Sequence, residues 1–381
     1  MTPVYLDHNA TTPIAEPVFE AMLPFLRQHY GNAASRHGFG TTALRAVDRA
    51  RQQVAAAVSV QPSQVIFTSG GTEANNLFVQ GAAACLKPSQ IAVSAIEHPC
   101  VAKPAAALAR RGWSVHRIAV DTAGRVVLAD LEEALAKPTG IVSVMLANNE
   151  TGVLQDVAGA AALARARGAL VHSDAVQAVG KVPVDFSRLG VDALTLSAHK
   201  IYGPKGAGAL VVHKRLQIEP ILLGGSHERG LRSGTLNVPA IVGFGAACEL
   251  AAARQQELSE QLRPLRHRLE AGLQALGAVV FGADAERLSN TSYFALPGIE
   301  GETLVVELDR AGYAVASGAA CSSANPEPSA TLLAMGVAPD LARGAVRVSL
   351  GERSTAADVE GFLGALGRVV ERLRSLTALT A

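Results

Sequence analysis

Between residues 62 and 213 the chain alternates short apolar runs with stretches of helical periodicity. The runs are rich in Val, Ile and Leu and mostly lack polar alternation, which is typical of strands buried on both faces of a sheet. Helix-like segments such as TEANNLFVQGAAACL and DVAGAAALARARGA separate them. The pattern predicts an α/β fold with a mostly parallel sheet wrapped by helices. The runs are VIFTS, IAVSAIEH, SVHRIAV, IVSVMLANNE, ALVHSDAVQ, DALTLSAHK and GALVVH.

The pattern changes after about residue 250. A long amphipathic segment, ELSEQLRPLRHRLEAGLQAL, begins a region with fewer apolar runs, and the helical run TAADVEGFLGALGRVVERLRSL follows near the end. A length of 381 residues suits two domains better than one. We therefore expect a large α/β domain over residues 15–250 and a smaller α+β domain made of residues 1–14 and 251–381.

Composition narrows the function classes. The chain is 49% hydrophobic and 18% charged, which predicts a large core and argues against disorder. A net charge of +1 without a basic stripe, and only 4% aromatic residues, argue against nucleic-acid and anionic-membrane binding. The N-terminal residues lack the basic and apolar segments of a secretory signal, and no run of 18 apolar residues occurs. We expect a cytoplasmic protein.

The four cysteines, Cys85, Cys100, Cys248 and Cys321, are far apart and form no CxxC pair. No metal site is expected from them. In a reducing compartment each should be a small buried residue. Cys321 is the exception, because its surroundings, AVASGAACSSANPEPSA, are Gly, Ala, Ser and Pro residues that pack poorly. The sequence predicts an exposed thiol on a mobile stretch.

Polar residues stand where the predicted strands end, and ligands bind outside the carboxyl ends of parallel strands. These residues are His98, Asn148, Asn149, Asp174, Gln177, Ser197, His199 and Lys200. After the first run, Gly70 and Gly71 allow a tight turn and Thr72 opens the next helix. The free N–H groups of that helix start suit a phosphate, although an ordinary N-cap is an alternative explanation.

Asp174 and Lys200 end consecutive predicted strands and should point into one cleft. A lysine amine bonds the aldehyde of pyridoxal phosphate, and an aspartate keeps its pyridine nitrogen protonated, so that the ring accepts electrons. Thr72, Ser197 and His199 would hold the phosphate at the helix start. We therefore predict pyridoxal phosphate as the cofactor; a structural ion pair between Asp174 and Lys200 is the alternative.

Three further features suggest binding residues. His98 is placed to lie over the cofactor ring. The segment GGSHERGLRSGTLNVP carries two arginines with Ser233 and Thr235, which suits an anion-contacting loop for its own or a neighbouring subunit's site, or a plain surface loop. Arg347, in AVRVSLG, could clamp a substrate carboxylate or pair with an internal acid.

Ten motifs occur in an order that resembles the cysteine desulfurases. They cover about residues 4–350, and the ordered set is what makes the resemblance specific. The SGAACSS segment resembles the class with a long mobile cysteine loop. The motifs are YLDHNATTP, GNAASRHGFG, FTSGGTEANN, EHP, NNETG, DAVQAVGK, SAHKIYGPKG, GGSHERGLRSGT, SGAACSSA and RVSLG.

The resemblance implies a homodimeric, fold-type-I pyridoxal phosphate enzyme of the class-V aminotransferase family. It implies that Lys200 bonds the cofactor and removes the α-proton, that His98 stacks on the ring as an acid/base, and that Cys321 takes the sulfur of L-cysteine as a persulfide, leaving L-alanine. The implied cofactor contacts are Gly71, Thr72, His98, Asn149, Asp174, Gln177, Ser197, His199, Lys200 and Thr235 of the partner subunit. The implied substrate contacts are Arg347, Asn149 and Asn32.

Several alternatives stay open at this point. The sulfur acceptor could be an iron–sulfur scaffold, a protein of transfer-RNA thiolation or a component of a cofactor pathway. A selenocysteine lyase or an aminotransferase-like enzyme would share the fold, but an aminotransferase needs no thiol on a mobile loop. A binding protein without catalysis would have no need of both Lys200 and Asp174.

Overall fold

The computed structural model describes residues 3–317 and 327–378. The strands are β1 (Val4–Tyr5), β2 (Val65–Thr68), β3 (Gln90–Ser94), β4 (Ser114–Ile118), β5 (Thr139–Ser143), β6 (Leu170–Asp174), β7 (Ala193–Ser197), β8 (Gly208–Val212), β9 (Val279–Val280), β10 (Thr291–Ala295), β11 (Tyr313–Ala314), β12 (Ala316–Ser317) and β13 (Ala345–Ser349). The α-helices are α1 (Glu16–Arg27), α2 (Gly38–Ala57), α3 (Gly71–Ala84), α4 (Pro99–Ala107), α5 (Leu128–Ala134), α6 (Val157–Ala166), α7 (Phe186–Leu189), α8 (Val238–Ala275), α9 (Gly301–Arg310), α10 (Ala330–Ala334), α11 (Pro339–Arg343) and α12 (Ala356–Ala378). Short 3₁₀ helices cover Pro62–Gln64, Leu108–Arg111, Ala198–Lys200 and His227–Gly230.

A seven-stranded sheet forms the centre of the larger part, in the order β2-β8-β7-β6-β5-β3-β4. Its strands fall within the seven predicted apolar runs or begin one or two residues before them. The four neighbouring pairs β4–β3, β3–β5, β5–β6 and β6–β7 are parallel. Strand β8 is antiparallel to both of its neighbours, β2 and β7. The predicted mostly parallel sheet is confirmed.

Side chains from the two faces of this sheet fill separate cores. Val65 and Phe67 of β2 face a core shared with residues of α1, α2, α6 and α8. Ile66, between them, faces a core shared with α3 and α4. Because successive strand residues point to opposite faces, a run that is apolar at every position buries both of them.

A four-stranded antiparallel sheet, β12-β13-β10-β9, lies in the C-terminal part. The chain's N-terminal residues join this part: β1 pairs with β11, and Leu6 packs in one core with Val346 and Phe362. This arrangement places Arg347 of β13 next to the segment that leads from β1 into the large sheet's helices.

Helix α8 crosses residue 250, where the domain boundary is predicted. It begins at Val238, earlier than the amphipathic segment suggested, because Asn237 caps it by accepting the Ala240 N–H at 3.2 Å. Its first half packs in the large sheet's core and its second half, through Leu262 and Leu269, in the smaller sheet's core. The division at residue 250 stays a prediction. No helix in the described ranges is both long and apolar enough to cross a membrane.

Candidate active site

A cavity of about 350 Å³ lies where β6 and β7 end and α3 begins. Strand-end residues meet here because parallel strands of one sheet end at one edge. The cavity is also lined by Asn9 and Ala10 from the N-terminal segment and by Cys100 after β3. The predicted site residues that line it are Gly71, Thr72, His98, Asn149, Asp174, Gln177, Ser197, His199, Lys200 and Arg347.

Two predicted residues that the structure describes, Asn32 and Thr235, do not line this cavity. Thr235 and Asn32 are exposed elsewhere, and the side-chain oxygen of Asn32 accepts the backbone N–H of Ala34 at 2.9 Å. Cys321 lies outside the described residues. The roles expected for these three residues stay predictions.

The start of α3 forms one wall of the cavity. Gly71 lies so close to the opposite wall that a Cβ there would come within 2.9 Å of the Val176 side chain. The Ser197 hydroxyl, which is buried against the same space, has no hydrogen-bond partner among the described residues. Free N–H groups at a helix start together with an unpaired hydroxyl suit a phosphate, whose oxygens accept several hydrogen bonds.

Asp174 is the buried carboxylate at the end of β6. Its Oδ1 accepts the Val176 N–H at 2.9 Å, and its Oδ2 accepts the Asn75 side-chain amide at 2.7 Å. Burial raises the pKa of the Asp174 carboxyl, and these two donors oppose the rise. A cationic ring nitrogen in the cavity would therefore be a favourable partner for this carboxylate.

Lys200 points into the same cavity but does not pair with Asp174. Its amine donates to the backbone carbonyls of Asn9 and Ala10 at 2.6 and 2.7 Å. Burial and the positive charge of Arg347 lower the pKa of the Lys200 amine to about 8. The alternative of a structural Asp174–Lys200 ion pair therefore fails, and roughly a tenth of the amine is in its reactive, uncharged form at neutral pH.

His98 caps α4 and keeps one ring nitrogen occupied. Its Nδ1 accepts the Cys100 backbone N–H at 3.2 Å and lies 2.8 Å from the Cys100 sulfur. Burial lowers the pKa of the His98 imidazole. Because Nδ1 accepts the backbone N–H, the single proton of the neutral ring sits on Nε2, which is then a donor.

The expectation that cysteines other than Cys321 are buried is wrong for two of the three. Cys85 is exposed and Cys100 is partly exposed, whereas Cys248 is buried. Cys100 lines the cavity, and its sulfur accepts the Asn75 amide at 3.0 Å. Burial and the nearby charge of Asp174 raise the pKa of the Cys100 thiol to about 12, so it stays protonated. Within the described ranges no group of three or more His, Cys, Asp or Glu could hold a metal ion.

Arg347 lies on β13 and reaches the cavity from the C-terminal part. Its Nη2 donates to the Asp7 carboxylate at 2.7 Å, and its Nη1 donates to the Asn149 carbonyl at 2.9 Å. Arg347 therefore pairs with an internal acid, Asp7, which was one of the two alternatives for this residue. The buried Nε of Arg347 has no partner among the described residues, so one donor is still free for a substrate carboxylate.

Four site residues were missed from the sequence: Asp7, Asn9, Asn75 and Cys100. The first two belong to the motif YLDHNATTP, which carried the resemblance but suggested no role. Asn75 lies on α3, two residues after Glu73. The sequence suggested a role only for the first residues of this helix, Gly71 and Thr72. The contacts of Asp7, Asn9 and Asn75 that build the site join residues roughly 25 to 340 positions apart, so no local pattern marks them.

The comparisons with known proteins agree with this geometry. The aminotransferase class-V family model matches residues 4–362. A cysteine desulfurase of Cereibacter sphaeroides is 45% identical over 387 residues, which cover 100% of this chain and 99% of that protein. The structure of a NifS-like protein has a TM-score of 0.92 and 37% identity over 97% of this chain and 100% of its own. The structure of SspA in complex with cysteine has a TM-score of 0.80 and 30% identity over 91% of this chain and 98% of its own. The chain therefore belongs to the cysteine desulfurases of the aminotransferase class-V family.

Proposed function

We propose that this desulfurase uses pyridoxal phosphate to convert L-cysteine to L-alanine, and that Cys321 takes the sulfur as a persulfide and passes it to an acceptor protein. One observation carries the proposal: the Lys200 amine, the Asp174 carboxylate and the start of α3 face one cavity of about 350 Å³. The solved relative in complex with cysteine supports the choice of substrate. We also infer a cytoplasmic homodimer in which Thr235 reaches the partner's phosphate site.

The residues around the cavity fit the polar groups of the cofactor. The N–H groups of Gly71 and Thr72, with the unpaired Ser197 hydroxyl and His199, would hold the phosphate. The Asp174 carboxylate would pair with the ring nitrogen. When bound, pyridoxal phosphate supplies an electron-withdrawing ring that stabilises negative charge at the substrate α-carbon.

Lys200 would act first as a nucleophile and then as a base. With a pKa of about 8, a fraction of its amine is uncharged at neutral pH and would be available to hold the cofactor through its aldehyde. The same amine, when free, would take the α-proton of the substrate. The carbonyls of Asn9 and Ala10 keep the amine in the cavity while it is free.

Arg347 and His98 would handle the substrate's other groups. The free Nε–H of Arg347, beside Asn149, would donate to the substrate carboxylate. The neutral His98 ring offers a proton at Nε2 and can recover one there, which suits an acid/base that serves the reacting carbons.

The sulfur step joins L-cysteine and the Cys321 thiol to give L-alanine and the Cys321 persulfide. The bond between the substrate sulfur and the β-carbon breaks, a bond between the two sulfurs forms, and the β-carbon takes a proton to become the methyl group of alanine. Ser317, four positions before Cys321 in the sequence, ends β12, which pairs with β13 at Arg347. This position of β12 beside the candidate substrate site supports Cys321 as the acceptor.

The test measures alanine and sulfide produced from L-cysteine with a thiol reductant, and records the absorption spectrum of each protein. Wild type should make both products. Cys321→Ala should keep the cofactor absorption and make neither, whereas Cys85→Ala, which removes an exposed cysteine outside the cavity, should behave as wild type. A Cys321→Ala variant as active as wild type would instead indicate a lyase or an aminotransferase-like enzyme.

The acceptor is a separate question with three candidates: an iron–sulfur scaffold, a transfer-RNA thiolation protein and a component of a cofactor pathway. Transfer from persulfidated enzyme to each purified candidate, followed by mass spectrometry, would distinguish them. Comparing turnover of L-selenocysteine with that of L-cysteine would show which amino acid the site prefers.

A further inference from the structure

Lys181 lies beside the cavity but takes no part in the chemistry above. Its amine donates to the side-chain oxygens of Gln177, at 2.8 Å, and Asn9, at 3.1 Å. Although part of the residue reaches the surface, burial of the amine, with Lys200 and Arg347 nearby, holds the pKa of Lys181 well below its usual value. A buried amine whose partners are neutral amides is costly to keep, which suggests that it serves the site.

The contacts of Gln177 determine which end of its amide faces the cavity. The backbone carbonyl of Asn9 can only accept, so the Gln177 Nε2 must face it, at 2.9 Å. The Gln177 Oε1 then faces the Lys181 amine, which donates to it. These two contacts leave the second hydrogen on Nε2 unused, and Gln177 lines the cavity.

Asn9 is oriented in the same way and extends the network to the substrate side. Its Oδ1 accepts from Lys181 and from the Asn290 amide, each at 3.1 Å. Its Nδ2 donates to the Asn149 carbonyl at 3.2 Å, and that carbonyl also accepts Arg347 at 2.9 Å. Hydrogen bonds therefore run without interruption from Lys181 to the residues that would hold the substrate.

We propose that Lys181 is a positioning residue, which holds the Gln177 amide so that an N–H and not the carbonyl oxygen faces the ring hydroxyl of the cofactor, the group that the resemblance to the desulfurases implies for Gln177. The inference rests on the proposed function, because it requires pyridoxal phosphate in the cavity. An N–H donor attracts a phenolate oxygen, whereas a carbonyl oxygen at the same place would repel it. Without the Lys181 amine, the Gln177 oxygen loses its partner, and only the bond from Nε2 to the Asn9 carbonyl still orients the amide.

The experiment compares Lys181→Met, which keeps the side-chain length but has no donor, with Lys214→Met, which removes an exposed lysine. The apo-proteins are titrated with pyridoxal phosphate to obtain Kd, and the holo-proteins are titrated with base to find the pH midpoint of the visible absorption change. We expect Lys181→Met to bind roughly 2- to 12-fold more weakly, as loss of one hydrogen bond would cause. Its pH midpoint should move upward, because the ring oxygen that loses a donor holds a proton more strongly.

A double-mutant comparison tests whether Lys181 acts through Gln177. In a Gln177→Leu background, adding Lys181→Met should change Kd little, since the amide to be oriented is gone. Lys181→Arg, which keeps N–H donors, should recover part of the affinity. The melting curve of the apo-protein shows whether Lys181→Met folds. If it does not, Lys181→Gln, whose side chain is shorter than that of lysine, replaces it in the same titrations.

The possible outcomes separate this inference from the proposed function. Equal Kd values and equal pH midpoints for Lys181→Met and Lys214→Met would overturn the positioning role. An equally large loss in the Gln177→Leu background would show that Lys181 does not act through Gln177 and would overturn it too. A wild-type protein that binds no pyridoxal phosphate would instead overturn the proposed function.

Discussion

Asn75→Leu is a direct test of the way in which the fold prepares Asp174 for the cofactor. Asn75 is fully buried on α3, and its amide donates to the Asp174 Oδ2 at 2.7 Å. Leucine has the same number of side-chain heavy atoms, branched at the same position, so the substitution removes the donor and keeps the branched shape. The second donor to Asp174, the Val176 N–H at 2.9 Å, stays in place.

The expected magnitudes differ for cofactor binding and for stability. A hydrogen bond to a charged group contributes about 1.5–3 kcal/mol; because this bond is already present before the cofactor binds, the loss of affinity for pyridoxal phosphate should be at most roughly 10- to 150-fold. The Asn75 Oδ1 has no partner among the described residues, and leaving such an oxygen buried costs about 1–3 kcal/mol. Leucine removes that cost, so the free energy of unfolding of the apo-protein should change far less than the affinity.

The assay titrates apo-protein with pyridoxal phosphate and follows urea unfolding of the same samples. Gln80→Leu, a partly buried amide on the same helix that does not line the cavity, is the matched control. The affinity deficit of Asn75→Leu should grow toward acidic pH, because the variant's Asp174 has a higher pKa and ionises less readily. Wild-type affinity with a normal pH dependence would refute the role assigned to this hydrogen bond, and with it the pairing of Asp174 with the cofactor.

Two further predictions concern charge. Arg347→Met should raise the pKa of Lys200 above about 8, because the guanidinium charge lowers that pKa. Capture of pyridoxal phosphate by the apo-protein, measured against pH, should then have its midpoint at a higher pH. A midpoint equal to that of wild type would contradict this prediction. Arg51→Leu breaks a buried salt bridge of 2.7 Å and leaves Glu228 unpaired, which should cost about 3–5 kcal/mol in urea unfolding, whereas Arg343→Ala, at an exposed pair, should cost less than about 1 kcal/mol. Similar costs for the two variants would show that the Arg51 pair is not stabilising.

Most of the large sheet and much of the site could be predicted from the sequence alone. Strands buried on both faces are apolar at nearly every position, so the seven runs could be recognised from short stretches of sequence. Because the carboxyl ends of parallel strands meet at one edge of a sheet, the sequence predicts that Asp174, Ser197 and Lys200 lie together. The ordered motifs then linked this set of residues to one chemistry.

Only the tertiary structure decided what surrounds those residues. The Lys200 amine binds carbonyls of Asn9 and Ala10, about 190 positions away, and the Arg347 guanidinium binds Asp7, 340 positions away. Such contacts depend on how the N-terminal segment packs between the two sheets, which no local periodicity encodes. Residue types and strand ends therefore determined which groups enter the site, whereas long-range packing determined their partners, their burial and hence their pKa values.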